Sequence, residues 1–469
     1  MKLNNIILKS FLLSLGDKFE MCSMKTLIFE MEICKKAGDL KGDTPEEEYK
    51  FYLMTYLKNI EYIKELFEIY PVLLRILFET IQIIAKNYVE ILQRLENDKE
   101  DIIQILLDGK EYNEIEFMSG SLSDSHKGAK GVYHITLDNG IKILYKPHTL
   151  ECEVNYQKML REAMAACGLE MKEYAVISRE NYGWCQYVNY DTYKNMEELN
   201  KYYKRVGITI CINHVLRTND LHYENIIASG EYPIIIDLET IMTNRHIERD
   251  DTATGIIQDI LTDSVLNSGI LPHYIWNEPG KIGINISALS GNEGQICPIQ
   301  IAKIVDSKTS NMRIEYEYPK SSGKNNLATV NGEFIEPNVF KNSIAEGFSE
   351  CYRYVANNKA YIQIYLEKFK NSNVRYLVRD TQQYSLMLRA SYHPSLLQSA
   401  SDSELFFYSL FKYVDLNDRY RKKQQIMKFR IWFWVISRIF ITKQLEQVFF
   451  LLEEKKLEIS LIRIVFLRY

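Results

Sequence analysis

Two short segments near the middle of the chain combine carboxylate and amide side chains. The first is Asp220-Leu-His222-Tyr-Glu-Asn225, and the second is Asp237-Leu-Glu239, which ends an apolar run. A carboxylate that orients a hydroxyl, an amide a few residues later and a carboxylate after a strand are parts of a phosphoryl-transfer site. Asn225, Asp237 and Glu239 carry the oxygen ligands that Mg²⁺ prefers. In the alternative interpretation, Asp220 caps a helix and Asp237 is a turn residue.

A loop rich in glycine and serine lies upstream, between Gly120 and Gly131, and includes Gly128. It leads into two strand-like runs, and the second run ends at Lys146. Backbone N–H groups of a flexible loop can approach phosphate oxygens, and a lysine on a strand can hold them as a point charge. The structural alternative is a surface turn followed by an exposed strand lysine, and the loop by itself does not separate the two.

The elements that position these residues follow from the periodicity of apolar side chains. Apolar residues recur every three or four positions over 44–108, which predicts helices. The turn Asp138-Asn139-Gly140 between two alternating runs predicts a β-hairpin. Further helices are predicted over 149–167, 196–216, 344–370 and 382–413, and strands over 174–177, 184–188, 231–241 and 374–378. The sequence therefore predicts an α+β protein.

Composition limits the class of protein. A chain of 469 residues with 46% hydrophobic and 25% charged residues is expected to form more than one packed lobe. The net charge of -5 gives no overall reason to bind nucleic acid. The eight cysteines form no Cys-x-x-Cys pair and no zinc-ligand spacing, so we expect reduced core thiols and no zinc. The N-terminal run is too short and too polar to span a membrane, which predicts a cytoplasmic protein.

Several segments together resemble the dehydratase domain of class II lanthipeptide synthetases, the LanM type. The resemblance covers residues 27–397, and its motifs occur in the family's order. They are the Gly120–Lys146 region, Asp220-Leu-His-Tyr-Glu-Asn-Ile-Ile, Tyr232-Pro-Ile-Ile-Ile-Asp-Leu-Glu-Thr, Val374-Arg-Tyr-Leu-Val-Arg-Asp-Thr-Gln-Gln-Tyr, Tyr70-Pro-Val-Leu-Leu-Arg and Ser264-Val-Leu-Asn-Ser-Gly-Ile-Leu-Pro.

The resemblance implies a two-lobed, lipid-kinase-type fold with additional helices, and a bacterial enzyme that dehydrates Ser and Thr of a ribosomal precursor peptide with ATP and Mg²⁺. Phosphorylation would come first and phosphate elimination second. By this resemblance, Lys146, Gly120 and Gly128 would hold ATP, and Asn225, Asp237 and Glu239 would hold magnesium. Asp220 would be the base, supported by His222. Arg375 and Thr381 would act in elimination, and Asp124 and His126 would assist either step.

Two further interpretations of the elimination residues stay open. Arg375 can be a salt-bridged strand residue, and Thr381 can be the N-cap of the helix that follows it, since threonine is a good cap. The chain can also act as a peptide kinase that stops at the phosphopeptide, or as an inactive module that binds the leader peptide.

The C-terminal tail departs from the family pattern. Residues 419–469 hold twelve Lys or Arg against four Glu and an aromatic run, and no cyclase zinc motif occurs in the chain. We interpret the tail as non-family sequence from a truncated or frameshifted gene, with a basic amphipathic membrane or partner segment as the alternative. Closure of thioether rings would then need a separate cyclase. Release of the product would need an exporter. The predicted parts are residues 1–110, mainly helical; 111–195, the upper lobe; 196–418, the lower lobe; and 419–469, the tail.

Overall fold

The computed structural model describes residues 5–120, 130–193, 195–242, 252–276, 283–290, 293–322, 325–327, 329–330, 333–370, 372, 374 and 381–409. Helices and antiparallel strands occur mostly in separate runs along this chain, so the predicted α+β class is confirmed. The kinase-like form of the fold and the predicted boundaries of its parts remain predictions.

The N-terminal part is helical. Its elements are α1 Asn5–Ala37, α2 Pro45–Thr55, α3 Ile60–Ile69, α4 Pro71–Asn97, α5 Lys99–Asp101 and a π-helical turn Ile102–Leu106. The helices predicted over 44–108 are confirmed, and α2 begins where Thr44 accepts a hydrogen bond from the Glu47 N–H and Pro45 fixes the first turn. Helix α1 was not predicted. Its buried face includes the polar residues Ser23 and Glu30, which obscure its apolar period.

A five-stranded antiparallel sheet follows. Its strands are β1 Ile115–Ser119, β2 Tyr133–Leu137, β3 Lys142–Lys146, β4 Val176–Ser178 and β5 Gly183–Gln186, in the spatial order β1-β2-β3-β5-β4. The predicted hairpin is strands β2 and β3, and Gly140 lies in its turn with φ of +78°. Strand β3 is central and pairs on both sides. Lys146, at its end, is therefore held by the middle of the sheet.

One large core joins the N-terminal helices to this sheet. Alternate residues of β2 and β3, together with Trp184 of β5, are buried in the same cluster as the apolar faces of α1 and α4. At its edge, the Arg94 guanidinium lies 4.0 Å from the centre of the Tyr182 ring, and Trp184 Nε1 donates to Asp98 at 2.8 Å. Because the helices cover one face of the sheet, β3 is held on that face as well as at both edges.

A second core lies further along the chain. It is formed by α6 Glu151–Ala166, α7 Met196–Val215, β6 Ile226–Ser229, β7 Tyr232–Ile235, α9 Lys341–Asn357 and α10 Lys359–Lys368. Helix α7 begins where the Asn195 side chain accepts a hydrogen bond from the Glu198 N–H. Strands β6 and β7 form an antiparallel hairpin beside it. This hairpin connects the two segments singled out in the sequence.

Residues 250–340 had no predicted topology, and the structure shows short elements there. They are α8 Ala253–Thr262, a 3₁₀ turn Val265–Ser268, the hairpins β8 Tyr274–Trp276 with β9 Gly283–Asn285, β10 Ile301–Val305 with β11 Arg313–Glu317, β12 Thr329–Val330 with β13 Glu333–Phe334, and a 3₁₀ turn Pro337–Phe340.

The last described helices return to the N-terminal part. The helix predicted over 382–413 is divided into α11 Thr381–Ser391, α12 Pro394–Leu397 and α13 Ala400–Tyr408. The division follows from Pro394, which cannot continue a preceding helix. Lys25 of α1 donates to the Arg389 carbonyl at 2.9 Å, and Tyr392 is buried in the first core. The strand predicted over 374–378 falls outside the described residues except for Val374.

Six of the eight cysteines are buried, as expected of core thiols, and Cys167 and Cys297 are half-buried. That the thiols are reduced remains a prediction. In the part of the chain that the structure describes, no helix is long and apolar enough to cross a membrane.

Helices α7 and α9 touch through a pair of glycines. A Cβ added to Gly207 would lie 2.0 Å from the Ile344 carbonyl oxygen, and one added to Gly347 would lie 2.0 Å from the Lys204 carbonyl oxygen. Each glycine therefore accepts the backbone of the opposite helix, and a methyl group can fit only if the helices separate.

Gly207→Ala is expected to lower the free energy of unfolding by about 1–3 kcal/mol, because overpacking against a backbone oxygen forces α7 and α9 apart. Denaturant titration followed by circular dichroism measures this. The matched control is Ser349→Ala, at an exposed position of α9, where we expect a change within about 0.5 kcal/mol. Equal stability of both variants would show that the helices adjust without cost.

Candidate active site

Lys146 is buried at the end of β3 and makes two contacts. Its Nζ lies 3.2 Å from Glu153 Oε1 and donates to the Ile236 carbonyl at 2.6 Å. Burial by itself lowers the pKa of a lysine, but the surrounding acidic groups together, with Glu153 the largest contributor, outweigh burial and raise the pKa of Lys146 above its ordinary value. The ammonium group is therefore kept charged inside the protein. It contacts the backbone carbonyl of Ile236, the residue that precedes Asp237.

Glu153 was not singled out from the sequence. It lies in the first turn of α6, only 1% exposed, and it contributes the carboxylate that faces Lys146. A signal existed, because an acidic first turn follows the strand lysine within a few residues. Two glutamates, Glu151 and Glu153, share that turn, and only the packing of α6 against the sheet shows which of them points inward.

The loop that carries Asp220 is fixed through its backbone. Asp220 has φ of +66°, and its carbonyl accepts a hydrogen bond from Asn225 Nδ2 at 2.8 Å. The next N–H, of Leu221, donates to the Ser268 carbonyl at 2.9 Å. A left-handed conformation at a residue other than glycine is costly and is retained where neighbouring contacts impose it. These contacts fix the backbone position from which the Asp220 carboxylate projects.

Asp237 follows the β6–β7 hairpin that begins just after Asn225. The Ile236 N–H donates to the Asn225 carbonyl at 3.0 Å, and Asp237 Oδ1 accepts from the Glu239 N–H at 3.0 Å. Together with the Lys146 contact, these bonds form one connected series from Lys146 through Ile236 and Asn225 to Asp220. Segments separated by 74 positions in the chain (146 to 220) are thus connected by hydrogen bonds.

His148 makes a second contact between β3 and the Asp237 loop. Its Nδ1 lies 2.9 Å from the Thr149 carbonyl oxygen, and its Nε2 lies 3.0 Å from Glu239 Oε1. Because both partners are acceptors, both ring nitrogens must carry protons, which makes the ring a cation. Burial opposes this charge, but the bond to Glu239 and the nearby Glu153 carboxylate outweigh it and raise the pKa of His148. The sequence did not indicate this role.

Two other predicted residues have local contacts. The Nδ1 of His222 accepts a hydrogen bond from the Glu224 N–H at 3.2 Å, so the imidazole stabilises the turn of its own loop. At Gly120, an added Cβ would lie 3.0 Å from Ser14 Oγ and 3.2 Å from Tyr133 Cε1, so its lack of a side chain allows close packing with α1 and β2. A role for Gly120 in binding phosphate remains a prediction.

The residues present fit a magnesium ion of the kind that binds between protein and phosphates. The Asn225 amide nitrogen is used by the Asp220 carbonyl, so its Oδ1 is the atom left for a metal. Asp237 keeps Oδ2 beside the oxygen that accepts from Glu239. Among the described residues, no three His, Cys, Asp or Glu side chains form a metal cluster. Two protein oxygens completed by phosphate and water are typical of Mg²⁺.

The remaining predicted residues are not positioned by the structure. Asp124, His126, Gly128 and Arg375 lie outside the described residues, as does the tail 419–469. Thr381 is the first residue of α11. Their assignments therefore remain predictions.

Comparison with known families identifies the chain. Residues 70–429 match the family model described as "Domain of unknown function (DUF4135)". The chain belongs to the DUF4135 family. This family is the dehydratase region of LanM-type lanthipeptide synthetases, so the resemblance found in the sequence is confirmed. The DUF4135 match covers all the predicted site residues and extends to residue 429, into the segment predicted to be atypical.

A characterised relative also matches this chain. It is the "Lacticin 481/lactococcin biosynthesis protein LcnDR2" of Lactococcus lactis subsp. lactis, which is 28% identical over 393 residues. The alignment covers 79% of this chain and 41% of the relative. The chain therefore spans about two fifths of the length of that protein.

Proposed function

We propose that this chain takes part in lanthipeptide biosynthesis as a dehydratase of a ribosomal precursor peptide. With ATP and Mg²⁺ it phosphorylates Ser and Thr, and it then expels the phosphate to leave dehydroalanine or dehydrobutyrine. Support comes from the DUF4135 family and from the name of the Lactococcus relative. The observation that carries the proposal is the connected series from Lys146 to Asp220, because it gathers the groups that phosphoryl transfer needs.

The architecture supports a kinase-like fold for this purpose. A lysine on the third strand of an antiparallel sheet pairs with a glutamate on the following helix, as Lys146 does with Glu153. A loop with Asp220 and Asn225, a two-stranded hairpin and then Asp237 follow in the order that kinases use. We place the nucleotide phosphates beside Lys146, between the sheet and the Asp237 loop.

In the first half-reaction, Asp220 accepts the proton of the substrate hydroxyl as the hydroxyl oxygen attacks the γ-phosphorus of ATP. The bond between the γ-phosphorus and the β,γ-bridging oxygen breaks, and ADP leaves. Lys146 holds the phosphates as a fixed positive charge, and Asn225 and Asp237 hold the metal. Mg²⁺, when bound, neutralises charge on the phosphate oxygens. Glu153 keeps Lys146 charged, and His148 positions Glu239 next to Asp237.

In the second half-reaction, a base removes the α-proton of the phosphorylated residue. The electron pair forms the Cα=Cβ bond, the Cβ–O bond breaks, and phosphate leaves. We assign Arg375 to stabilise the charge of the departing phosphate and Thr381 to donate a hydrogen bond to it. Asp124 and His126 are assigned to assist either half-reaction.

Mass spectrometry of the precursor peptide encoded beside this gene, co-expressed with and without the chain, tests the proposal. The expected result is the loss of one water per modified Ser or Thr. A gain of phosphate without loss of water would restrict the function to a peptide kinase. An unmodified peptide, with the protein folded and MgATP present, would contradict the proposal.

His148→Gln is expected to lower kcat/KM for MgATP by about tenfold, because a charge-assisted hydrogen bond to Glu239 contributes about 1.5–3 kcal/mol. ATP turnover at varied Mg²⁺ concentration measures the effect, and we expect it to appear in the KM for MgATP. His273→Gln, at an exposed histidine, is the matched control and should behave as the wild type. An equal loss of kcat/KM in both variants would contradict a specific role for His148.

A further inference from the structure

An open cavity of about 280 Å³ lies beside the loop that carries Asp220. Its walls are the end of α7, the two residues Arg217 and Thr218, the end of α8 and the 3₁₀ turn at Ser268. Thr218 is two residues before Asp220, and the Ser268 carbonyl holds the Leu221 N–H just after it. The cavity is therefore adjacent to the proposed base on both sides of the loop.

The cavity does not belong to the proposed nucleotide site. Lys146, Asn225 and Asp237 are absent from its walls. The contacts that connect Asp220 to the phosphate-binding groups run through Asn225 and Ile236. A molecule in the cavity would therefore lie apart from the proposed phosphate-binding groups and beside the loop that carries Asp220.

Polar groups of several kinds line the cavity. Arg217 is paired with Asp263 at 2.6 Å, so its positive charge is balanced. His214 and Asn267 add an imidazole and an amide. A polar wall whose one arginine is paired with an aspartate suits a peptide backbone better than a free anion.

Two buried groups on the cavity wall are also incompletely bonded. Within the described chain, Thr218 Oγ1 and Asn213 Oδ1 are buried side-chain oxygens that have no hydrogen-bond partner. Thr218 and Asn213 are at most 1% exposed. Unpaired polar atoms of this kind are uncommon in folded proteins. Because they are not accessible to solvent, they lie behind the cavity wall.

An apolar surface continues from the cavity along α8. Ile256, Ile257, Ile260 and Leu261 have exposed fractions of 53%, 58%, 64% and 45%, and we call them the α8 stripe. Positions 256 and 260, and 257 and 261, are four residues apart and neighbour each other on a helix. Helix α8 ends at Thr262, which itself lines the cavity. Four large aliphatic side chains in this position are typical of an interaction surface.

We infer that the cavity and the α8 stripe together form the docking surface for the substrate polypeptide. This inference rests on the proposed function, because it places the peptide next to Asp220. The stripe contacts apolar side chains of a segment that flanks the modified Ser or Thr, and the cavity binds polar groups of the same segment. A polypeptide is favoured over a second copy of the chain because residues on both sides of the Asp220 loop border the cavity at one end of this surface.

Charge substitutions on the exposed stripe test the inference with little risk to folding. Ile257→Glu and Ile260→Glu are each expected to weaken binding of the fluorescein-labelled precursor peptide by about tenfold, since an unpaired charge is costly to bury in an apolar contact. The KM for the peptide should rise in parallel, while kcat and the Kd for ATP stay unchanged. Asn267→Ala, in the cavity, should weaken peptide binding by about threefold, as expected for one hydrogen bond.

Ile364→Glu is the matched control, since Ile364 on α10 has an exposed fraction of 56% and lies outside the surface. It should bind the peptide as the wild type does. A wild-type protein that dehydrates the peptide, with both stripe variants within twofold of its Kd and KM, would overturn the docking surface and leave the proposed function intact. A wild type that binds but does not modify the peptide would contradict the proposed function, while the Kd values still decide the docking surface.

Two further outcomes would also overturn the docking surface. One is a wild-type protein with no measurable affinity for the peptide. The other is a dimer in light scattering that Ile260→Glu dissociates without any change in peptide affinity, since the stripe would then bind a second copy of the chain.

Discussion

Asp220→Asn is expected to reduce the rate of peptide phosphorylation by about 10²–10⁴, the usual contribution of a general base. Asparagine is the suitable replacement, because it tolerates the left-handed conformation at φ of +66° and keeps the backbone contacts to Asn225 and Ser268. Quantifying phosphorylated and dehydrated peptide by mass spectrometry measures the loss of both products.

The neighbouring carboxylate provides the control. Glu224→Gln makes the same chemical change at an exposed position of the same loop, and its backbone N–H still donates to His222. We expect it to retain activity. If Asp220→Asn phosphorylates the peptide as fast as Glu224→Gln, Asp220 is not the base.

Arg375→Ala separates the two half-reactions. Because Arg375 is assigned to elimination, this variant is expected to accumulate phosphopeptide, whereas Asp220→Asn leaves the peptide unmodified. Identical products from the two variants would contradict this division of roles.

Glu153→Gln is expected to lower the free energy of unfolding by about 3–5 kcal/mol, because removing one partner leaves the Lys146 charge buried and uncompensated. Phosphorylation should also fall, by about 10²-fold, since Lys146 is then less well charged and less well placed to hold phosphate. Thermal unfolding and peptide phosphorylation measure the two effects.

A double-mutant cycle distinguishes the charge from the packing. Lys146→Met with Glu153→Gln should recover most of the stability lost in Glu153→Gln alone, because no buried charge remains. It should not recover phosphorylation. If the double variant is as unstable as the sum of the single variants, the two residues do not act as a pair.

Glu173→Gln is the control for this cycle. Glu173 pairs with Arg161 of the same helix α6, but the two side chains are 36% and 50% exposed. Ion pairs at the surface contribute little, so the expected loss is under about 1 kcal/mol.

The elements that carry the proposed site could be predicted because their local sequence signals are strong. The Asn-Gly turn predicted the hairpin that ends at Lys146. The apolar run before Asp237 predicted the strand that precedes this aspartate. The order of Lys146, Asp220, Asn225 and Asp237 suggested the chemistry, and hydrogen bonds connect the segments that carry these residues. Their roles remain predictions.

Contacts between distant elements could not be predicted in the same way. Helix α1 was not predicted because several of its buried residues are polar. Their hydrogen bonds are made within the helix or with a distant residue: Ser23 donates to the Phe19 carbonyl, and Glu30 accepts from Tyr70 at 2.6 Å. A sequence pattern counts such residues as exposed, whereas a partner elsewhere in the chain makes their burial possible.

The sequence by itself determined the family, the α+β class and the residue types of the proposed phosphoryl-transfer site. Only the tertiary structure decided that Glu153 rather than Glu151 faces Lys146, that His148 pairs with Glu239, and that Gly207 and Gly347 let two helices touch. The physical reason is that turns and periodic patterns depend on neighbouring residues. The direction in which a side chain points, and the partner that it meets, depend instead on how whole helices pack against the sheet and against each other.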